Sequence, residues 1–375
     1  MNSNEHVFIT TDFPPMRGGV ARYYDEITSR WKLPRMTVFA PASSKKNHEH
    51  LRTVRPLSIH VRLLYPHWIW AGIRIFAYLL VHRPVVVHVG QVLPVGTFVY
   101  AISRILRIPY VVYIHGMDVL MAHRSNRKWK IASCVIQNAN ALIVNSGFTE
   151  SLVRSMIKEV PPITIAHPGR TIFPMPSHNV VENLNSRYHL LQTFVLLTVS
   201  RLVERKGIDR MIEALVHLPA PVRQHLRYVV IGSGPDRKRI EDLMQRHQLT
   251  QQILLIGEAS DAELAAWYER CDVCCLVSRA TPDDVEGFGM VLIEAAGFGK
   301  PAIAGNTGGI PEAVVNGKTG ILVDPEDPQA IANAIQRIST DRDLYTQMSQ
   351  HARDYATHFS WDQTTRKIEK ALERL

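Results

Sequence analysis

The sequence predicts an α/β protein of two doubly wound, Rossmann-like domains, and three observations carry that expectation. Short apolar runs rich in Val, Ile and Leu alternate with segments of helical periodicity along the chain. The runs lack polar alternation, as strands do when both faces of a parallel sheet are covered. They fall into two series, divided near 173–188, where Pro174, Pro176, Ser177, His178 and Asn179 break the periodicity. Each series should form right-handed βαβ crossovers, with ligands bound at the carboxyl ends of its strands. The expected domains are 1–178 and 190–358, facing one another across a cleft, with a terminal helix over 361–375.

The first strand, 7–11, runs into the loop Thr-Asp-Phe-Pro-Pro-Met-Arg-Gly-Gly-Val of residues 11–20. Its prolines stiffen the loop, and Gly18 and Gly19 let backbone approach a ligand at the start of the next helix. The loop is not Gly-x-Gly-x-x-Gly, and no acidic residue follows at the dinucleotide distance, which disfavours hydride transfer. Strands at 36–40 and 85–89 follow. Gln91 stands just past the second of these, as Asp12 does past the first strand. Strand 111–114 ends in His115-Gly116-Met117-Asp118. A His and an Asp at the tip of a parallel strand suit hydrogen bonding to a sugar or help with a proton. The alternative for His115 is a satisfied structural histidine. Asp12, Gln91 and Asp118 are candidate contacts to an acceptor. Strands 141–144 and 163–165 close the first series.

In the second series, strand 194–199 ends in Ser-Arg-Leu-Val-Glu-Arg-Lys-Gly, residues 200–207. Arg201 and Lys206 flank a loop that enters a helix carrying Asp209 in its first turn. Two cations beside a helix N-terminus can neutralise a diphosphate; the bland alternative is a solvated charge run. Strand 228–231 leads to Gly232-Ser233-Gly234-Pro235, another close-approach turn, and strand 253–256 follows. Strand 273–277 leads to Glu286-Gly-Phe-Gly-Met-Val-Leu-Ile-Glu294. Positions eight apart in a helix lie about two turns apart near one face. Two carboxylates so placed at a loop–helix entry can hold two hydroxyl-bearing parts of one long ligand. The loop's free backbone N–H groups, together with the helix N-terminus, are set to receive a phosphate. Strand 302–304 leads to Gly308-Gly309-Ile310-Pro311-Glu312, and 320–323 is the last strand.

Composition narrows the classes. The 375 residues are 46% hydrophobic and 21% charged, ordinary for a globular protein of two domains. Four cysteines are too few for a disulfide framework. Cys271-Asp-Val-Cys274 has redox spacing but enters a strand-like run, so buried, inert thiols in a reducing compartment are expected. The opening residues do not read as a signal peptide, and His67 and Arg74 interrupt the apolar region 63–81, which argues against a membrane-spanning helix. Residues 1–175 hold 21 Lys and Arg against 8 Asp and Glu, leaving 22 against 26 for the rest. The basic first half can attract anionic lipid headgroups or a phosphate-bearing acceptor. Nucleic acid lacks a supporting aromatic–basic stacking motif. No His, Cys and carboxylate group has metal-ligand spacing, so no metal site and no cofactor are expected.

These residues carry a resemblance. Phe13-Pro-Pro with Gly18-Gly19, His115-Gly-x-Asp118, Ser200-Arg-Leu with Lys206-Gly, Gly232-x-Gly-Pro, Glu286-Gly-Phe-Gly with Glu294-Ala, and Gly308-Gly-x-Pro-Glu occur in the order found in retaining glycosyltransferases of the GT-B fold. The chain resembles the class with the Glu-x7-Glu signature, glycosyltransferase family four. The resemblance implies that Glu294 binds the ribose hydroxyls and that Glu286 lies at the donor sugar. Arg201 and Lys206 would hold the diphosphate, Gly19 and the backbone of Phe288, Gly289 and Met290 would approach phosphate and sugar, and His115 would sit near the reacting carbon and a sugar hydroxyl. It also implies that the terminal helix crosses back to the first, acceptor-binding domain, the second domain binding the donor. Retention of anomeric configuration is implied in the same way.

The segment 279–289 and the Phe-Pro-Pro loop look most like bacterial mannosyltransferases, including phosphatidylinositol mannosyltransferases. The resulting expectation is metal-independent transfer of a hexose, mannose from GDP-mannose, to a lipid-linked or glycan acceptor. Such a protein would be cytoplasmic and able to rest on the inner face of the plasma membrane. The aromatic stretch Tyr65-Pro-His-Trp-Ile-Trp agrees with work at a membrane, or is a helix packed inside the first domain. A UDP-sugar donor, a nucleotide-sugar epimerase and a non-catalytic sugar- or lipid-binding protein remain alternatives.

Overall fold

The computed structural model describes residues 5–32, 35–41, 52–57 and 68–373. The chain divides into two compact units, Met1–Gly169 with Ser360–Leu375, and Arg170–Phe359.

Among the described residues the first unit holds seven strands: β1 (Glu5–Ile9), β2 (Arg35–Ala40), β3 (Arg52–Pro56), β4 (Val86–Val89), β5 (Tyr110–Ile114), β6 (Ala141–Val144) and β7 (Ile163–Ile165). Their order is β3-β2-β1-β4-β5-β6-β7, all parallel. Residues of β1, β4, β5 and β6 are buried throughout, and apart from Glu5, His6 and His88 they are apolar or aromatic, which is why these strands read as apolar runs. β3 was not expected. Its Arg-Thr-Val-Arg-Pro pairs only with β2 at the sheet edge, where a charged, Pro-ended segment is tolerated.

Helix Ile69–His82 buries Ala71, Ile75 and Leu79 against the sheet. Its other side is also apolar: Trp70 and Val81 are 47% and 76% exposed, and Ile73 and Leu80 are exposed as well. Of the aromatic stretch, Tyr65, Pro66 and His67 lie outside the described residues. Trp68 packs against Phe98, with ring centroids 6.0 Å apart. Among the described residues, no helix is long and apolar enough to cross a membrane.

The terminal helix Trp361–Leu372 belongs to this unit. Trp361 stands edge-on to Tyr23 at 5.4 Å, Thr364 donates to the His167 carbonyl at 2.6 Å, and the Lys32 amide donates to Glu369 at 2.6 Å.

The second unit holds β8 (Phe194–Val199), β9 (Leu226–Ile231), β10 (Ile253–Gly257), β11 (Val273–Leu276), β12 (Ala302–Gly305) and β13 (Gly320–Val323), ordered β10-β9-β8-β11-β12-β13 and all parallel. Apolar clusters cover both faces of the sheet. The division between units falls at Gly169/Arg170, earlier than the Pro-rich break. The reason is packing: Phe173 is buried in the second unit's core, and Arg270 binds Asn185 of helix His178–Tyr188 at 2.5 Å. The prolines interrupt a connection already committed to that unit.

The four cysteines are free, and Cys271, Cys274 and Cys275 are buried. Burial pushes the Cys271 thiol up to about 12 and raises those of Cys274 and Cys275 well above the ordinary thiol range, so none of the three forms a thiolate readily.

Candidate active site

In each sheet the strand order reverses beside the first strand of its series, between β1 and β4 and between β8 and β11. Loops at such a switch point splay apart at the carboxyl ends of the strands and leave a crevice. The candidate residues gather at these two places.

In the second unit, the chain leaves β8 and closes a single 3-10 turn, Glu204–Lys206, before helix Ile208–His217. Gly207 ends the turn at φ 68°, and a Cβ there would sit 2.2 Å from the Val277 carbonyl. Only glycine allows this turn to press against the end of β11. Lys206 is thereby held beside the loop after β11. Its Nζ lies 2.5 Å from Glu286 Oε2, and Arg205 Nη1 donates to the same oxygen at 2.9 Å. Arg205 Nε is 2.7 Å from Asp284, and Ser278 Oγ donates to Glu286 at 3.3 Å. The Gly309 amide donates to the Glu286 carbonyl at 2.8 Å, which ties the loop to the Gly-Gly turn after β12.

Burial alone would raise the Glu286 carboxyl; Lys206 and Arg205 outweigh it and hold it down at about 2. Burial lowers Lys206, and the opposed attraction of Glu286 does not fully restore it. The cluster is therefore an ionised carboxylate gripped by two cations in a poorly hydrated loop.

Glu294 is buried on helix Met290–Gly297. Thr171 donates to its Oε1 at 2.6 Å and Tyr268 to its Oε2 at 2.9 Å. The two glutamates do not share a helical face, contrary to the spacing argument. The helix begins at Met290, after Gly289 at φ 91°, so Glu286 lies in irregular loop where a helical period has no meaning. The pair holds separate positions, one among cations and one among hydroxyls.

Arg201 follows β8 directly and is exposed, with no side-chain partner among the described residues. Gly232 and Gly234 approach the chain's own backbone closely. A Cβ would lie 1.9 Å from the Ser200 carbonyl and 2.2 Å from the Leu202 carbonyl respectively. These glycines pack the β9 turn against the β8 turn and so support the Arg201 loop.

In the first unit, Gln91 donates to Asp12 Oδ2 and to Thr10 Oγ1, both at 2.9 Å, and accepts from the Thr11 amide at 2.8 Å. Both amide hydrogens are thus committed within the cluster, and Gln91 braces Asp12 across the β1/β4 switch point. Gly18 precedes helix Gly19–Ser29, and no atom lies within 4 Å of the place a Cβ would take. His115 Nε2 lies 2.9 Å from the Tyr24 hydroxyl, and the ring stands edge-on to Tyr23 at 5.2 Å. Burial lowers the imidazole to about 4, so it is neutral near pH 7. Asp118 Oδ1 accepts from the His115 amide at 3.2 Å, and its carboxylate stands in the first turn of helix Met117–His123, where the helix dipole favours negative charge. Burial raises its carboxyl to about 6, against the pull of the backbone amides.

Sequence reasoning assigned no role to Arg205, Asp284, Thr171, Tyr268 or Tyr24, which complete these clusters. A signal for Arg205 existed. It adjoins Lys206, and Asp284 precedes Glu286 by two residues, so two cations had two anions to meet. Thr171, Tyr268 and Tyr24 left no local pattern. Among the described residues, no group of three or more His, Cys, Asp and Glu is placed to hold a metal ion.

Two family descriptions match the chain in succession. Residues 17–171 match Glycosyltransferase Family 4, and residues 184–355 match Glycosyl transferases group 1. The chain is 28% identical to the GDP-mannose-dependent alpha-(1-6)-phosphatidylinositol monomannoside mannosyltransferase of Mycobacterium tuberculosis, over 96% of each chain. It is 29% identical to the D-inositol 3-phosphate glycosyltransferase of Corynebacterium jeikeium, over 64% of this chain and 59% of that one. Among solved structures, Anabaena HepE in complex with UDP and glucose superposes with a TM-score of 0.83 at 20% identity, covering 99% of this chain and 100% of that one. WaaG, a glycosyltransferase involved in lipopolysaccharide biosynthesis, superposes with a TM-score of 0.75 at 17% identity, over 98% of each chain.

Proposed function

The chain belongs to the glycosyltransferases of the GT-B fold, and from that premise we propose that it transfers mannose from GDP-mannose to a hydroxyl of a phosphatidylinositol-type glycolipid. The observation that carries the reading is the β8/β11 switch point, where exposed Arg201 and the Lys206–Glu286–Arg205 cluster gather beside the start of helix Met290–Gly297. The choice of sugar and acceptor rests on the mycobacterial relative, which matches along nearly its whole length.

Arg201 and Lys206 would neutralise the diphosphate without a metal ion, with first-turn amides at 288–290 adding donors. Glu294 would accept from the ribose hydroxyls, and Glu286 would meet the sugar while holding Lys206. In the step itself the bond from the sugar's anomeric carbon to the diphosphate oxygen breaks. A bond from that carbon to the acceptor oxygen forms, and the acceptor's proton passes to the departing diphosphate. Attack from the face the diphosphate leaves retains the configuration. Asp12 and His115 would face acceptor and sugar in the first unit.

A panel of nucleotide-sugars incubated with phosphatidylinositol mannoside, with products read by mass spectrometry, tests this. Mannosylated lipid from GDP-mannose is expected. Preference for a UDP-sugar would overturn the donor assignment and keep the class, and an epimer formed without acceptor would replace transfer by epimerisation. Glu294→Ala should raise the donor KM by roughly 10–100-fold, since it deletes a buried acceptor of substrate hydroxyls. An unchanged KM would remove Glu294 from the donor site.

The acceptor implies a membrane. The outer face of helix Ile69–His82 presents Trp70, Ile73, Leu80 and Val81, exposed Ile105 stands on the helix that packs beside it, and Arg74, Arg104 and Arg107 are exposed nearby. Apolar side chains flanked by arginines suit an anionic bilayer surface. The double variant Ile73→Glu/Val81→Glu should reduce cosedimentation with phosphatidylinositol-containing vesicles at least about tenfold, placing two charges in the contact. Equal binding by the variant would rule this face out.

A further inference from the structure

The hydrogen-bond directions around His115 lead to a residue that no motif marks. Tyr24 is fully buried on helix Gly19–Ser29, ringed by Phe8, Tyr23, Tyr113 and His115. Its hydroxyl meets two partners, the Gly90 carbonyl and His115 Nε2. A phenol has one hydrogen to give, and a carbonyl can only accept. The proton therefore points at Gly90, and Tyr24 offers His115 only a lone pair. His115 Nε2 must then carry the ring hydrogen, and Nδ1 is left with a bare lone pair. No other residue competes for the ring nitrogens among the described residues.

Gly90 is an immovable reference. It ends β4, its amide donates to the Ile9 carbonyl at 2.8 Å, and a Cβ there would lie 2.8 Å from Thr10. The His115 backbone is fixed by the Asp118 carboxylate at 3.2 Å. The ring is thus gripped at its amide and at Nε2, which leaves Nδ1 as the group available to a ligand.

We propose that Tyr24 is a positioning residue that locks His115 in the Nε2–H tautomer, so that Nδ1 accepts a hydrogen bond from a hydroxyl of the bound sugar. The inference deepens the transferase reading and rests on it for the identity of the ligand. The tautomer itself does not depend on that reading. A neutral acceptor cannot protonate a leaving group; it orients one hydroxyl and discriminates against a ligand that lacks it. Tyr24→Phe keeps the ring and its packing and removes the lock. His115→Gln cannot present a ring lone pair of the same geometry.

Nitrogen-15 NMR of histidine-labelled protein at neutral pH tests the lock directly. A pyridine-like Nδ1 and a pyrrole-like Nε2 are expected for His115 in the wild type, and a mixture of tautomers in Tyr24→Phe. With activity, Tyr24→Phe should lower kcat about tenfold with the donor KM changed less, since a mispositioned group acts mainly at the transition state. A protonated Nδ1 in the wild type overturns the proposal, as does a variant with unmixed tautomers and unchanged kcat. If no nucleotide-sugar is turned over by the wild type, the transferase reading fails while the NMR result still decides the tautomer.

Discussion

Lys206→Ala should lower kcat by about 10²–10³-fold, the loss typical of removing one preorganised charge from a developing anion. The prediction follows from where the lysine is held. The turn that carries it is pressed onto the end of β11 through Gly207, so the ammonium cannot drift. In the resting protein it lies 2.5 Å from Glu286, whose negative charge opposes the lowering of the ammonium pKa by burial. A departing diphosphate would compete for that charge at the moment negative charge builds on it. The donor KM should move by only a few-fold, because exposed Arg201 and the helix start remain. Steady-state kinetics with GDP-mannose checks this, and full turnover in the variant would remove Lys206 from the reaction. Arg201→Ala should behave differently, raising KM first, since its exposed guanidinium has no side-chain partner among the described residues to keep it in place.

Glu286→Ala should destabilise the second unit by about 3 kcal/mol, because it leaves Lys206 and part of Arg205 as buried cations without their anion. Arg205 keeps Asp284 at 2.7 Å, which limits the loss. The same carboxylate makes stability depend on acid. Its folded value of about 2 lies below the ordinary 4.5, so the unfolded chain takes up its proton first. The stabilisation, on the order of 3 kcal/mol, is fully present above about pH 4.5 and is lost as pH falls towards 2. Urea titrations from pH 6 to pH 2 should show a steeper decline for the wild type than for Glu286→Ala. Parallel declines would show that the Glu286 ion pairs contribute nothing to folding. The double variant Glu286→Ala/Lys206→Ala should recover part of the loss, since removing both charges is milder than stranding one.

Much of this fold is legible in the sequence. Strands of a covered parallel sheet leave apolar runs even at its edges, and the runs at 141–144, 163–165, 194–199 and 320–323 coincide with the observed elements. β3 was missed because an edge strand with two arginines carries no such run. The Pro-rich segment near 173–188 marked a break in periodicity, but Phe173 and Asn185 show that packing places the division at Gly169. The candidate site was legible wherever chemistry sits at a strand end, as with Arg201, Lys206 and His115. It was illegible where a partner comes from a distant part of the chain. Thr171 and Tyr268 reach Glu294 from 123 and 26 residues away, and Tyr24 reaches His115 from 91. The glutamate spacing was read as a helical face when half of it is loop. Its value lay in marking a loop–helix entry, whereas the partners of each carboxylate required the fold.

In the proposed donor site the second unit binds a nucleotide-diphosphate sugar through Arg201, Lys206, Glu286 and Glu294. Thermal unfolding of the wild type and of Glu294→Ala, each with and without GDP-mannose at saturating concentration, tests it most directly, because a ligand that binds only the folded chain raises its stability by RT ln(1 + [L]/Kd). The account predicts a rise in Tm for the wild type and a much smaller rise for the variant. No rise with any nucleotide-sugar, or equal rises in both proteins, would contradict it.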